Sequence, residues 1–125
     1  MTRPIKFRAW DEENSVMVYP KHADHYDQIY SGLDDEGVLT ISYTDRNDDY
    51  HEMVVMQFTG LLDKTGKEIY ESDILRWNGE IGEYKWVEEF ACFEFQGDER
   101  RYPQKMDAKD LEVISNIYET PELLK

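Results

Sequence analysis

The chain has 125 residues, 40% of them hydrophobic and 14% aromatic, which is enough to form the core of one ordinary domain. Its formal net charge of −14 repels phosphate backbones and anionic lipid surfaces, and therefore disfavours nucleic-acid and membrane-surface binding. The sequence lacks both a run of about eighteen apolar residues and an apolar signal segment, so we expect a cytoplasmic protein without a membrane span.

The N-terminal region has the pattern of a β-hairpin. Residues 5–10 alternate apolar and polar side chains, as a half-buried strand does. Residues 11–15 are polar turn formers, and residues 16–19 have the composition of the returning strand. Pro20 is expected to end the hairpin.

The next segment is acidic and less regular. Residues 21–37 show no clear strand or helix period, and residues 31–37 have the composition of a loop. Residues 38–43 are rich in β-branched and aromatic side chains and predict a strand. Residues 45–49 then predict a second solvated loop.

The most patterned stretch runs from Met56 to Trp77. A strand over residues 52–58 leads to the turn of residues 63–66, where Asp63 can accept backbone hydrogen bonds and Gly66 can adopt positive φ. Further strands are predicted from Asp73, over residues 80–87 and over residues 90–95. Asn78-Gly79 is a strong signal for a tight hairpin between the first two of these strands.

The C-terminal residues predict a capped turn at 107–111, a strand at 112–117 and a short helical turn that begins at Thr120-Pro121. The predicted fold class is mostly β with minor α (α+β). An N-terminal hairpin region (1–55) is followed by a small SH3-like β-barrel (56–118, with an OB-like barrel as the alternative) and a helical tail (119–125). We expect these regions to form one domain.

Several segments resemble, in the same order, the YopX family of phage and prophage proteins. The N-terminal segment is Lys6-Phe7-Arg8-Ala9-Trp10-Asp11, and the central ones are Met56-Gln57-Phe58-Thr59-Gly60-Leu61, Asp63, Gly66-Lys67-Glu68-Ile69-Tyr70-Glu71 and Asp73-Ile74. The C-terminal ones are residues 112–119 and 121–124. The chain departs from the family pattern at Ser72, where the family usually has glycine, and at Ser115, where it often has glycine, and serine makes the backbone at both positions less permissive.

The resemblance implies a β-rich fold with an SH3-like barrel, a phage or prophage origin in a bacterial host cell, and self-association. It implies no catalytic residues and no established activity. From the residues and the resemblance together we therefore expect a non-enzymatic protein without a cofactor.

The candidate chemical sites are weak. The spacing of His22, Asp24, His25 and Asp27 offers metal ligands, but a solvated polar loop explains it better, so no metal site is predicted. Cys92 lies among apolar neighbours with no basic residue to activate it, which favours a buried structural thiol. Acidic pairs are abundant, but no sequence pattern separates the pKa values of two carboxylates as acid–base catalysis requires.

Two groups of residues are assigned other roles. Structural turn or strand-entry roles are predicted for Gly60, Asp63, Gly66, Asp73, Asn78 and Gly79. The aromatic side chains around the Asn78-Gly79 hairpin are predicted to pack in the core or to form a partner or oligomer surface, and they are Trp77, Tyr84, Trp86 and Phe90.

The favoured function is a phage or prophage accessory protein that self-associates and binds a host or phage protein. The alternative is a nucleic-acid-associated regulator, acting either through the aromatic side chains or as an acidic mimic of DNA. An enzyme ranks last among these hypotheses.

Overall fold

The structure is a computed structural model that describes residues 4–19, 29–97, 101–102 and 108–124. Within these residues the chain forms two antiparallel sheets and three short 3-10 turns, at Glu88–Phe90, Ala108–Asp110 and Pro121–Leu124. None of the described residues forms a helix that is long and apolar enough to cross a membrane. The chain divides into two compact units, Lys6–Met56 and a second unit of Met1–Ile5 with Gln57–Lys125.

The first unit is built from antiparallel strands whose sheet has the order β2-β1-β5-β4-β3. Ala9, Val18, Tyr43 and Met53 form its buried core, because alternate side chains of these strands point to the same face. The strands are β1 (Phe7–Asp11), β2 (Val16–Val18), β3 (Ile29–Leu33), β4 (Leu39–Thr44) and β5 (Tyr50–Leu62), whose last residues belong to the second unit.

The second unit contains a five-stranded sheet of order β10-β9-β8-β7-β11, while β6 pairs with the end of β5. Its core is made by fully or almost fully buried side chains, among them Ile69, Leu75, Phe95 and Leu111. The strands are β6 (Glu68–Tyr70), β7 (Asp73–Trp77), β8 (Glu80–Val87), β9 (Cys92–Gly97), β10 (Arg101–Tyr102) and β11 (Glu112–Asn116).

The predicted SH3-like barrel over 56–118 and the α+β label are not confirmed. Among the described residues the sheet of the second unit is open, because β10 pairs only with β9 and β11 pairs only with β7. The helical content is limited to 3-10 turns, including the predicted C-terminal turn at Pro121–Leu124. The fold is therefore mostly β, with two open sheets in place of a barrel.

Both predicted hairpins are present, unlike the barrel. β1 and β2 pair antiparallel as expected, and β7 and β8 are joined by Asn78 and Gly79, whose φ angles are 49° and 80°. Residues 31–33, however, were expected in a loop and belong to β3, which pairs with β4 along its whole length. Gly32 resembles a turn signal in the sequence, but here it is a strand residue because pairing outweighs its weak strand propensity.

Three hairpin loops of the described chain close in the same way, and each begins with aspartate. The Oδ1 atom of Asp34 accepts the N–H groups of Glu36 at 2.9 Å and Val38 at 3.0 Å. The Oδ1 atom of Asp45 likewise accepts the N–H groups of the residues two and four positions later, at 2.8 and 3.0 Å. The Oδ1 atom of Asp63 accepts the two corresponding N–H groups at 2.8 and 2.9 Å. Several of the acidic residues in these loops thus serve as turn closures.

The third residue after each aspartate adopts the left-handed conformation that follows a type I turn in this kind of hairpin loop. The φ angles there are 81° at Gly37, 64° at Asp48 and 87° at Gly66. Two of the loops thus have glycine where its conformational freedom is needed, whereas the middle loop places a side chain in this region at some cost in energy.

We expect Asp48→Gly to stabilise the protein by up to about 1 kcal/mol, because glycine adopts the left-handed conformation without a Cβ clash. Asp49→Gly is the matched control: it removes the same charge, but its backbone is not left-handed, so it should destabilise the protein by about 0.5–1 kcal/mol. Urea unfolding followed by tryptophan fluorescence measures both. Equal effects of the two substitutions would contradict the role given to the backbone angle.

Candidate interaction surface

The aromatic residues singled out in the sequence occupy different environments. Tyr84 is 5% exposed and stacks on Phe93 with ring centroids 5.9 Å apart, while Trp77 is partly buried against the same core. Trp86 packs edge-on against Phe93 at 5.1 Å but leaves 45% of its surface exposed. Phe90 lies in the turn Glu88–Phe90, and its side chain is outside the described part of the structure. Among these aromatic residues whose side chains are described, Trp86 is the most exposed and the one available to a partner.

The residues expected at turns and strand entries lie at backbone irregularities. Gly60 has a φ of 90°, between Phe58 and Leu62, where the pairing of β5 with β6 shifts register. Asp73 is 1% exposed, and its Oδ2 atom accepts the N–H of Tyr70 at 2.8 Å. Gly60 and Asp73 thus shape the backbone of the second unit and offer no exposed chemical group.

Asp63 links the loop between β5 and β6 to the edge strand β11. Besides closing its own loop, it accepts the N–H of Val113 at 2.9 Å through Oδ2, and the neighbouring Lys64 N–H donates to the carbonyl of Leu111 at 2.9 Å. Burial alone would raise the pKa of Asp63, but the hydrogen bonds from Val113, Thr65 and the Lys67 backbone outweigh it and lower the pKa. The carboxylate therefore remains ionised and covers part of the β11 edge.

One face of β3, β4 and β5 carries exposed aromatic side chains beside hydroxyl residues that are partly exposed (Thr40, Thr44) or buried (Ser42). Tyr30 and Tyr50 are 49% and 62% exposed, and Val54 is 39% exposed. Cross-strand register places Tyr30 beside Ser42 and Tyr50 beside Thr44 on this face. We call this set the outer face, defined by Tyr30, Thr40, Ser42, Thr44, Tyr50, Glu52 and Val54.

Sequence reasoning did not identify the outer face as a candidate surface. The signal was present in β5, where Tyr50, Glu52 and Val54 alternate with the partly buried His51 and the buried Met53. In β3 it was weaker, because residues 29–33 form a short uncharged run next to acidic loops and contain a glycine.

β3 is an edge strand, and no described strand pairs with its outer side. Four of its five residues are exposed, and the segment Ile-Tyr-Ser-Gly-Leu contains neither a charged residue nor proline. Natural sheets usually protect such edges with charges, proline, bulges or a covering segment. An uncharged, exposed edge of this kind is a site where another strand can add.

A polar cluster lies on the inner side of the same strands. The hydroxyl of Tyr43 donates to Asp11 at 3.0 Å, and the Tyr43 ring stacks on His51 with centroids 4.9 Å apart. Nε2 of His51 lies 2.8 Å from Oδ2 of Asp45. The side chain of Asn14 donates to the other oxygen of Asp11 at 2.7 Å. The cluster thus ties β1 and its turn to the β4–β5 hairpin.

The protonation equilibria of this cluster follow from its contacts. Burial, followed by the hydrogen bond to Asp11, raises the pKa of Tyr43 to about 12. The hydrogen bond with Asp45 raises the pKa of His51, and the same bond is the main cause of the lowered pKa of Asp45. The shifts thus favour a protonated Tyr43, a protonated His51 and an ionised Asp45, which are the states that make these hydrogen bonds. This indicates a structural role for the cluster.

A small cavity opens on the inner side of the first unit. Its volume is about 130 Å³, and its lining includes Ile29, Ser31 and Ile41, with Arg8 and Tyr19 adding polar atoms. Arg8 is almost fully buried and donates to the Tyr19 hydroxyl at 3.3 Å. The cavity is smaller than the roughly 300–1,000 Å³ of typical ligand pockets.

The metal ligands considered in the sequence, at His22, Asp24, His25 and Asp27, lie outside the described residues. Within the described part of the chain, no group of three or more histidine, cysteine or acidic side chains is arranged to hold a metal ion. Cys92 is a free thiol at the start of β9, and it is partly exposed where full burial was expected.

Comparisons with known proteins place the chain among YopX proteins. The family model described as YopX protein matches residues 6–125. The crystal structure of protein EF1440 from Enterococcus faecalis is similar with a TM-score of 0.56 and 24% identity, over 99% of this chain and 100% of that one. The crystal structure of protein yopX from Bacillus subtilis is similar with a TM-score of 0.55 and 19% identity, over 99% and 100%. The search of curated proteins found no match.

The hydrogen bond between His51 and Asp45 should make stability depend on pH. Because folding raises the pKa of His51, its contribution is complete below the unfolded pKa of about 6.5 and disappears as the pH rises through the folded value. The lowered pKa of Asp45 sets the acid limit: its contribution is present above about 3.8 and is lost as the pH falls through the folded value.

We therefore expect His51→Gln to destabilise the protein more at pH 5.5 than at pH 8.5, because the contribution of a group with a raised pKa decreases as the pH rises. Urea unfolding at the two pH values measures the difference. His51→Phe, which retains ring stacking on Tyr43 but cannot form the hydrogen bond, is the control and should show the same pH dependence. A difference between wild type and His51→Gln that does not change with pH would contradict the assignment.

Proposed function

The chain belongs to the YopX family, and from this premise we propose that it is a non-enzymatic module that self-associates and binds another protein. The single observation that carries the proposal is the exposed, uncharged edge of β3 together with the adjoining outer face. Both lie in the first unit, on strands that are held by a buried core.

The composition of the outer face supports protein binding. Tyrosine is enriched in protein interfaces because it offers a large, rigid contact area with few rotatable bonds, and hydroxyl residues adapt their hydrogen bonds to a partner. Tyr30 and Tyr50 supply such area, and the partly exposed Thr40 and Thr44 supply hydroxyl groups on the same face, where Ser42 is buried. Glu52 is the one charged residue of the face as defined, so its contacts do not depend on the overall charge.

The use of four aspartate carboxylates supports a role without catalysis. Asp34, Asp45 and Asp63 accept backbone hydrogen bonds that close loops, and Asp11 accepts the Tyr43 hydroxyl. A catalytic carboxylate instead needs an accessible position and a pKa suited to proton transfer. The lowered pKa values of Asp45 and Asp63 point away from this requirement.

The partner that we propose is a host or phage protein in the bacterial cytoplasm, beside further copies of the chain itself. A net charge of −14 favours association with a basic protein surface through complementary potential, which mainly accelerates encounter. The same charge opposes binding to nucleic acid.

Light scattering coupled to size-exclusion chromatography tests the proposal, together with a gel shift using mixed DNA and RNA at low salt. We expect a discrete oligomer, in its simplest form about twice the 14.9 kDa of one chain, and no shift of the nucleic acid. Bovine serum albumin, another acidic protein, is a suitable negative control for the gel shift.

The possible results separate the two classes of function. A monomer at every concentration would reject self-association. A shift that weakens with added salt would indicate binding to phosphate backbones and favour the nucleic-acid hypothesis.

A further inference from the structure

We infer that the partner of β3 is β3 of a second copy, paired antiparallel with Ser31 at the two-fold axis. This inference rests on the proposed self-association and specifies its contact. The two sheets then form one continuous sheet through the axis. The contact follows from the hydrogen-bonding direction, the register and the protection of the other edges.

The hydrogen-bonding direction of β3 is fixed by the loop that follows it. Asp34 N–H donates to the carbonyl of Val38 at 2.9 Å, which makes these two residues a hydrogen-bonded pair. Such pairs alternate along an antiparallel ladder, so Gly32 and Tyr30 also direct their backbone groups towards β4. The N–H and C=O groups of Ile29, Ser31 and Leu33 consequently point outwards at the edge.

Only one register matches all three outward residues with outward residues of a second antiparallel copy. Ser31 then faces Ser31 of the second copy, and Ile29 faces Leu33 on either side of the axis. These pairs exchange backbone hydrogen bonds because both members point outwards. A shift by two residues keeps the direction but loses a pair at the end of the ladder.

The side chains also fit this register. Tyr30 faces Gly32 of the second copy in a non-hydrogen-bonded pair, where the Cα atoms approach to about 4.5 Å. Gly32 has open space where a Cβ would stand, so the aromatic ring can lie over the glycine of the second copy. The segment has no charge, so the central contact brings no carboxylates together despite the acidic character of the chain.

The other edges of the described sheets are less suited to pairing. β2 and β10 have only three and two residues. β11 is bulged between Val113 and Ser115, and Asp63 already accepts the Val113 N–H. An antiparallel β3 pair also closes on itself as an isologous dimer, whereas a parallel or head-to-tail contact does not close in this way.

The first test removes one outward donor without disturbing the pairing of β3 with β4. Ser31→Pro deletes the Ser31 N–H, and proline is tolerated in edge strands where that group faces outwards. We expect the dissociation constant of the dimer to rise at least about tenfold, because both hydrogen bonds at the axis are lost. Ser31→Ala is the matched control and should dimerise like wild type. Sedimentation velocity measures both, and circular dichroism checks the fold.

The second test reads the register directly and does not depend on the proline variant. In a Cys92→Ser background, Ser31→Cys should form a disulfide-linked dimer on mild oxidation, because Cα atoms of a hydrogen-bonded pair lie about 5.5 Å apart, within disulfide range. Leu33→Cys should not do so. Leu33 faces Ile29 of the second copy, so the Cα atoms of the two Leu33 residues are separated by four residues of strand, about 13 Å.

The outcomes distinguish this inference from the function on which it rests. A wild-type protein that remains a monomer rejects both. A wild-type dimer that is unaffected by Ser31→Pro, or that shows no Ser31→Cys cross-link, rejects the β3 contact but leaves self-association in place. Cross-linking of Leu33→Cys as efficient as that of Ser31→Cys rejects the register. If Ser31→Pro does not fold, the cysteine pair alone decides.

Discussion

The carboxylate of Asp63 is the interaction on which the second unit most depends. One oxygen closes the loop between β5 and β6, and the other holds the backbone of Val113, 50 residues further along the chain. Because the hydrogen bonds outweigh the cost of burying the charge, the group remains ionised and accepts from several donors at once. The same side chain thus closes a local turn and makes a long-range contact that holds β11 and protects its edge.

The sequence predicts the hairpins and turns of the fold better than it predicts whether the sheet closes into a barrel. The hairpin of β1 and β2 and the turn at Asn78-Gly79 follow from residues close in sequence. Whether a sheet closes into a barrel depends on which edges meet, and no local signal distinguishes the open sheet from a closed one. Ser72, noted as a departure from the family pattern, has a φ of 73°, so the serine adopts the conformation that glycine would adopt more readily.

The candidate surface was harder to predict than the fold, for a physical reason. An aromatic side chain has the same sequence signature in a core and at an exposed position, and what separates the two is how much of the folded protein packs over it. Tyr84 and Trp86 are two residues apart and both contact Phe93, yet one is buried and the other is half exposed. β3 was missed because its exposed edge is a property of the sheet order, which local composition does not encode.

The repeated aspartate closure also restricts where the length of the chain can vary. In each of the three loops the carboxylate accepts from the second and fourth residues that follow it, and the residue between them is left-handed. One inserted or deleted residue would misplace both donors and shift the left-handed conformation onto a different side chain. We therefore expect insertions and deletions to destabilise these loops, although exposed loops normally tolerate them best.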